Sequence, residues 1–233
     1  MPIADGAVLE SPLSRSTFQK NLKSKWWRIN HLYKVKNEKG QVVRFKCRPL
    51  QAAVANQLHD KNIILKSRQH GITTLFNVWF VDECIFVRNT EAAFIAQDLN
   101  EGQRKLQVMK DIFDEFLTEW PSFVGRVALT SDAKREMRFS NKSYIYVSTT
   151  VRSGTVNLLH ISEFGKIAHT NKVKAQEVID GSENAIHSDT LTVIESTPMG
   201  MNTIFNEMCD TAFKMFRNKS QLSRLDYKWV FLP

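Results

Sequence analysis

The chain has 233 residues, 42% of them hydrophobic, enough to bury one sizeable α/β core. Its formal charge of +8 is uneven: residues 11–50 hold eleven lysines and arginines against Glu38 alone, which leaves the remainder slightly acidic and points to a polyanion or an acidic protein surface as partner of that segment. A membrane span is excluded, since no run of about 18 apolar residues occurs. Asp5 and Glu10 interrupt any signal-peptide pattern, so a soluble intracellular protein is expected. Cys47, Cys84 and Cys209 lie far apart without C-x-x-C or paired histidines; they read as free thiols in a reducing compartment and argue against zinc.

Residues 1–13, with Pro2, Gly6 and Pro12, read as a loose tail. From Ser14 the spacing of Phe18, Leu22, Trp26, Ile29 and Tyr33 predicts one amphipathic helix, its aromatic stripe more readily core packing than a base-stacking platform. Tyr33 to Cys47 alternates about Glu38-Lys39-Gly40-Gln41 and predicts a hairpin. Residues 1–47 thus form a basic helix-and-hairpin appendage on a core of residues 48–233. Pro49 suits the first turn of a helix running to about His59.

Lys61 to Ser67 is a strand, followed by a helix to about Val87 that is apolar nearly all round and therefore central. Ala92 to Ala96 is a second buried strand, and Asp98 caps a helix ending at Trp120-Pro121. Glu136–Ser140 and Tyr144–Thr149 form a hairpin about Asn141-Lys142. Val156 to Ser162 is a strand whose Leu158-Leu159-His160-Ile161 is sheet core. A helix from Lys172 to about Ile179, a strand from Leu191 to Ser196, a helix from Asn202 to about Lys214 and a strand from Lys228 to Leu232 complete the chain. Alternation of this kind calls for a mostly parallel central sheet with helices on both faces.

The chemistry gathers at the ends of three strands, where a parallel sheet binds its ligands. After the first, Lys66-Ser67-Arg68-Gln69-His70-Gly71-Ile72-Thr73-Thr74 reads as a displaced phosphate loop: the second glycine (Gly71) and the hydroxyl (Thr73) of G-x-x-x-x-G-K-[ST] are kept, while Lys66 holds the first glycine's place and Ile72 the lysine's. Phosphates are held mainly by backbone N–H groups at a helix N-terminus plus one mobile ammonium, so a lysine entering from the front serves. Taken alone, the string also fits an ordinary strand-to-helix turn. Ser162-Glu163 ends the second strand, and phosphoryl transfer to water needs such a carboxylate to orient or deprotonate the water; the plainer reading is a surface acid. Many phosphate-loop enzymes carry aspartate just before that glutamate to support Mg²⁺, and here Ser162 stands there. Ser196-Thr197-Pro198 ends the third strand, where hydroxyls can sense a terminal phosphate. Arg68 and Arg152 are positioned to meet charge on phosphoryl oxygens, against the commoner case of a solvated arginine.

Taken together, Lys66-Ser67-Arg68-Gln69-His70-Gly71-Ile72-Thr73, then Arg152-Ser153-Gly154-Thr155 leading to Leu158-Leu159-His160-Ile161-Ser162-Glu163, then Ser196-Thr197-Pro198-Met199-Gly200 resemble the ATPase domain of the tailed-bacteriophage terminase large subunit, the DNA-packaging motor. The resemblance spans about residues 48–205. It implies a phosphate-loop NTPase of the additional-strand (ASCE) class with ATP and Mg²⁺ as cofactors. By motif, Lys66 and Thr73 would bind phosphate and Mg²⁺, with Ser162 beside the metal. Arg68 matches the loop arginine, Glu163 the catalytic glutamate, and Arg152 an arginine offered to a neighbouring subunit's ATP. Ser196-Thr197 matches the motif that links hydrolysis to movement, and Leu50-Gln51 the adenine-contacting motif.

The implied partners are double-stranded DNA bound without sequence preference, a portal protein, the small terminase subunit and further copies in a ring, in the host cytoplasm. Members normally continue into a nuclease domain, whose acidic cluster is not expected within this chain. Rival readings are a helicase-like ATPase and a non-catalytic basic nucleic-acid-binding module.

Overall fold

The computed structural model describes residues 15–123, 126–151 and 154–233. The expected loose tail and Arg152 lie outside the described residues. Ten strands and eight α-helices follow one another as α1 (Arg15–Leu22), α2 (Lys25–His31), β1 (Lys34–Lys36), β2 (Val42–Arg44), α3 (Pro49–Asn56), β3 (Lys61–Lys66), α4 (Ile72–Phe86), β4 (Glu91–Ile95), α5 (Leu99–Glu119), β5 (Leu129–Ala133), β6 (Glu136–Phe139), β7 (Tyr144–Ser148), β8 (Val156–Ser162), α6 (Phe164–Thr170), α7 (Lys172–Ala185), β9 (Ile186–Ser196), α8 (Ile204–Arg217) and β10 (Tyr227–Leu232), these being counts of the described residues.

Eight strands form one sheet in the order β10-β3-β9-β8-β4-β7-β6-β5, and β1 and β2 form a separate hairpin. The pairs from β10 to β7 are parallel, and β6 and β5 add an antiparallel edge. The sheet is thus mostly parallel, as the alternation of elements predicts. Its strands show why: Ile63 packs with Leu159, Ile194, Phe164 and Phe205 on one face, while the next residue, Ile64, packs with Val54, Phe76 and Val193 on the other. A strand buried on both sides needs helices on both sides. α3, α4 and α5 cover one face; α6, α7 and α8 cover the other.

α4 is buried on most of its circumference, Leu75, Phe76, Val78, Phe80, Val81 and Ile85 all lying in the core. The single helix expected from Ser14 is instead two. Ser24 ends the first and caps the second, its Oγ accepting from Trp27 N, and Arg28 reaches back to donate to Leu22 O at 2.7 Å. A side-chain cap and a guanidinium that satisfies the preceding helix's carbonyl outweigh the unbroken apolar periodicity. Trp26 of the predicted stripe is correspondingly exposed.

Much of the N-terminal charge is answered within the chain. Arg28 makes a two-pronged ion pair with Asp82 of α4 at 2.9 and 2.8 Å, and Tyr33 Oη donates to the same carboxylate at 2.7 Å. Lys25 pairs with Glu83 of α4, Lys34 and Arg44 with Glu119 of α5, and Lys36 with Asp111. The acidic surface these five residues meet is the protein's own, which narrows the expectation of an outside partner, among the residues whose exposure is described, to the exposed Lys20, Lys23, Lys39, Lys46 and Arg48.

Two elements were not foreseen. β5 pairs with β6 through residues too polar to stand out, and α6 begins directly after Glu163. α7 also runs past the expected end at Ile179, to Ala185, with Ser182 Oγ donating to Val178 O inside the added turn.

Candidate active site

Parallel pairing sets three residues of adjacent strands level with one another: Ile64 of β3 pairs with Glu195 of β9, and Glu195 with Ser162 of β8. Residues paired in this way point to the same face, and so does Lys66, two residues beyond Ile64. That face is covered by α4, whose first turn carries Thr73. The sheet therefore delivers an ammonium, a carboxylate and a hydroxyl to the N-terminus of one helix.

The turn between β3 and α4 needs unusual backbone. Gln69 and Gly71 both have left-handed φ, 71° and 68°. Gly71 is also pressed by α3: a Cβ there would lie 2.8 Å from Gln51 Nε2, which donates to Gly71 O at 2.7 Å. The other end of the Gln51 amide accepts from Arg48 N at 2.9 Å. The expected adenine-contacting residue is thus placed as a clamp between α3 and the loop. On the far side the loop is tied to β10, with Ser67 N donating to Leu232 O at 2.9 Å and His70 Nε2 lying 2.9 Å from Pro233 O. Arg68 is exposed.

Lys66, 7% exposed, is the hub of the charges. Its Nζ is 3.2 Å from Glu163 Oε1 and 3.1 Å from Glu195 Oε2. Burial would lower the ammonium's pKa, but Glu195 and Glu163 reverse this and raise it. Glu163 sits in left-handed backbone, φ 53° and ψ 41°, at the hinge between β8 and α6, and Thr197 Oγ1 donates to its Oε2 at 3.4 Å. Such a conformation costs a non-glycine residue about 1 kcal/mol or more and is held by its surroundings. Gly165 lets α6 come close to the end of β9, since a Cβ there would meet Ser196 Oγ at 2.8 Å and Phe205 at 3.0 Å. Ser196 is fully buried, and its Oγ donates to Thr197 O.

Glu195 was read only as part of a strand and is the residue that sequence reasoning missed. It is completely buried. Its Oε1 accepts from Thr73 Oγ1 at 2.8 Å and from Ser162 Oγ at 2.9 Å, and His160 Nε2 lies 3.4 Å away. Burial would raise its carboxyl pKa; His160, Lys66 and Thr73 outweigh burial and hold it down to about 2. Of these, Lys66 is the stronger influence, because it is charged throughout, whereas His160 lies outside hydrogen-bond geometry and acts only when protonated. His160 is itself enclosed by the rings of Phe76, Phe80 and Phe94. The available signal was an acid inside the otherwise apolar Val193-Ile194-Glu195 run, beside the strand that ends in Ser162.

A cleft of about 420 Å³ opens beside Thr73 and Thr74, walled by Lys34, Lys36, Asn77 and Lys105. Its lining does not include Lys66 or Glu163, whose ion pair lies outside it.

No family model and no curated protein matches this chain. Among solved structures it is similar to the large terminase ATPase domain of Thermus phage P74-26, with a TM-score of 0.61, 14% identity and 81% of each chain covered. An arginine-to-alanine mutant of that domain gives a TM-score of 0.59 at 14% identity, covering 80% of this chain and 81% of the other. The large terminase of a thermophilic bacteriophage gives 0.51 at 9% identity, covering 80% of this chain and 46% of that one. The fold of the chain is therefore that of the phage large-terminase ATPase domain, a phosphate-loop α/β fold with a largely parallel sheet.

Proposed function

We propose that this chain is an ATP hydrolase, the motor domain of a viral terminase large subunit that drives double-stranded DNA into a procapsid. The observation that carries the reading is that Lys66 of β3 meets Glu163 at the end of β8 and shares Glu195 with Thr73 of α4, at the carboxyl edge of a parallel sheet.

In this reading the loop N–H groups and the N-terminus of α4 hold the β- and γ-phosphates. Lys66 swings from its carboxylate partners onto phosphate oxygens, which frees Glu163 to orient and deprotonate the attacking water. Thr197, in contact with Glu163, registers whether the terminal phosphate is present, and Ser196 passes the change to α6 through Gly165. Arg68, and Arg152 from a neighbouring copy in a ring, meet the charge that builds on the transferring group.

Mg²⁺, when bound, would offset the charge on the β- and γ-oxygens. The donors fit a hard cation: Thr73 Oγ1 and carboxylate oxygens stand together, with two carboxylates for one ammonium. Among the described residues no group of three or more histidine, cysteine or acidic side chains could hold a metal, so phosphate oxygens and waters would supply the rest of the shell.

DNA would be held through its phosphates, without sequence preference, and the portal and small subunit would dock the ring on the procapsid in the host cytoplasm. Nucleotide titration tests the core of the reading. Lys66→Ala should lose ATP binding, and Glu163→Gln should keep binding and stop turnover. Normal turnover by Glu163→Gln overturns the catalytic assignment.

A further inference from the structure

Phosphate-loop enzymes commonly place an aspartate immediately before the catalytic glutamate to support the metal, and Ser162 brings a hydroxyl but no charge to that position. One strand over and level with it in the sheet, Glu195 reaches into the same space. Its Oε1 takes a hydrogen bond from Ser162 itself and another from Thr73, the hydroxyl assigned to the metal. Among the described residues its Oε2 is buried without a hydrogen bond and faces the Lys66 ammonium at 3.1 Å.

We propose that Glu195 is the positioning residue for Mg²⁺, supplying from β9 the carboxylate that β8 lacks. The inference rests on the reading above that a metal–nucleotide complex binds here. The chemistry follows from the donor directions. A threonine hydroxyl that gives its proton to a carboxylate must turn its lone pairs the other way, toward the phosphates, and the carboxylate makes that oxygen a better donor. Ser162 fixes the carboxylate from the other side, so the two hydroxyls hold Oε1 in place. When Lys66 moves to phosphate, Glu195 Oε2 loses the cation it faces among the described residues, and a divalent cation on the Thr73 side would compensate it. A buried carboxylate that serves only to neutralise Lys66 would need neither hydroxyl.

The test is the affinity of Mn²⁺, read by electron spin resonance, for the full chain saturated with a nonhydrolysable ATP analogue. Glu195→Gln keeps an acceptor for Thr73 and loses the charge; its Mn²⁺ affinity should fall by about 10- to 100-fold, a typical loss when the support of a metal ligand is removed. Ser162→Asp combined with Glu195→Gln returns the charge to β8 and should recover most of that loss. Equal Mn²⁺ affinity in wild type and Glu195→Gln, both saturated with nucleotide, overturns the proposal while leaving the ATPase reading intact. Failure of the wild type to bind nucleotide overturns both. Should Glu195→Gln not fold, Glu195→Asp, which withdraws the charge by one methylene, takes its place: weakened Mn²⁺ binding supports the proposal, and unchanged binding overturns it.

Discussion

Lys66 Nζ lies 3.2 Å from Glu163 Oε1, although 97 positions separate the two in the chain. β9 stands between their strands and contributes the second carboxylate, so an ammonium on one strand is pinned by acids from the next two. The same lysine is thereby a structural counter-ion at rest and a phosphate ligand in the proposed cycle.

Lys66→Met leaves Glu195, with no exposed surface, as an uncompensated charge. Loss of one partner of a buried pair costs about 3–5 kcal/mol. Chemical denaturation should show a loss of that order, and adding Glu195→Gln should return a large part of it. A purely additive double mutant would mean the two groups do not stabilise one another.

Gly71→Ala meets two obstacles: a left-handed φ of 68°, which costs a non-glycine residue about 1–2 kcal/mol, and a Cβ 2.8 Å from Gln51 Nε2. We expect a destabilisation of about 2 kcal/mol, with weaker nucleotide binding. Adding Gln51→Ala should relieve the collision alone, so thermal unfolding of the pair should recover only part of the loss.

Gly165→Ala inserts a methyl between α6 and the end of β9, against Ser196 and Phe205. Overpacking of this kind costs about 1–3 kcal/mol. The shift falls on the residue that follows Glu163 by two, so kcat should drop several-fold more than the affinity for ATP. Parallel losses in both would place the effect in the loop instead.

Glu119 anchors the β1–β2 hairpin to α5 through Lys34 and Arg44. Burial alone would raise its pKa; Arg44 and Lys34 outweigh burial and lower it. A depressed carboxyl contributes stability above its unfolded pKa, about 4.3, and loses that contribution as pH falls through the lower folded value. Glu119→Gln should therefore cost about 0.5–1 kcal/mol at pH 7 and nothing once the pH is well below the folded pKa, as followed by urea unfolding across that range.

Lys20, Lys23, Lys39 and Lys46 are exposed lysines of the basic segment, as is Arg48 an exposed arginine, whereas Lys25, Arg28, Lys34, Lys36 and Arg44 are engaged with the chain's own acids. If the four lysines meet DNA phosphates, their replacement by alanine should reduce the slope of log K against log salt by about 0.9 for each contact. Fluorescence anisotropy on duplex DNA at several salt concentrations decides it; an unchanged slope assigns DNA contact to another surface.

The turn between β3 and α4, the buried α4 and the mostly parallel sheet were legible because each is written in neighbouring residues: an apolar run, a glycine turn, a continuous helical stripe. The break at Ser24 was not, since it depends on Arg28 finding Leu22 O and Asp82 at once. The contacts of Glu195 and Gln51 were hidden for a related reason. Glu195 acquires meaning only when β9 is inserted between β3 and β8, an order that runs against the chain, and Gln51 only when α3 is laid against the loop.

The level pairing of Ser162 with Glu195 has a consequence for how such centres are recognised in other chains. If Glu195 supports the metal, a longer acid on the neighbouring strand at the same height can bring its charge to the place an aspartate on the first would serve. A search that spells its pattern as consecutive letters along one strand will pass over a complete centre whose acid has moved sideways. One that compares heights across the sheet will find it.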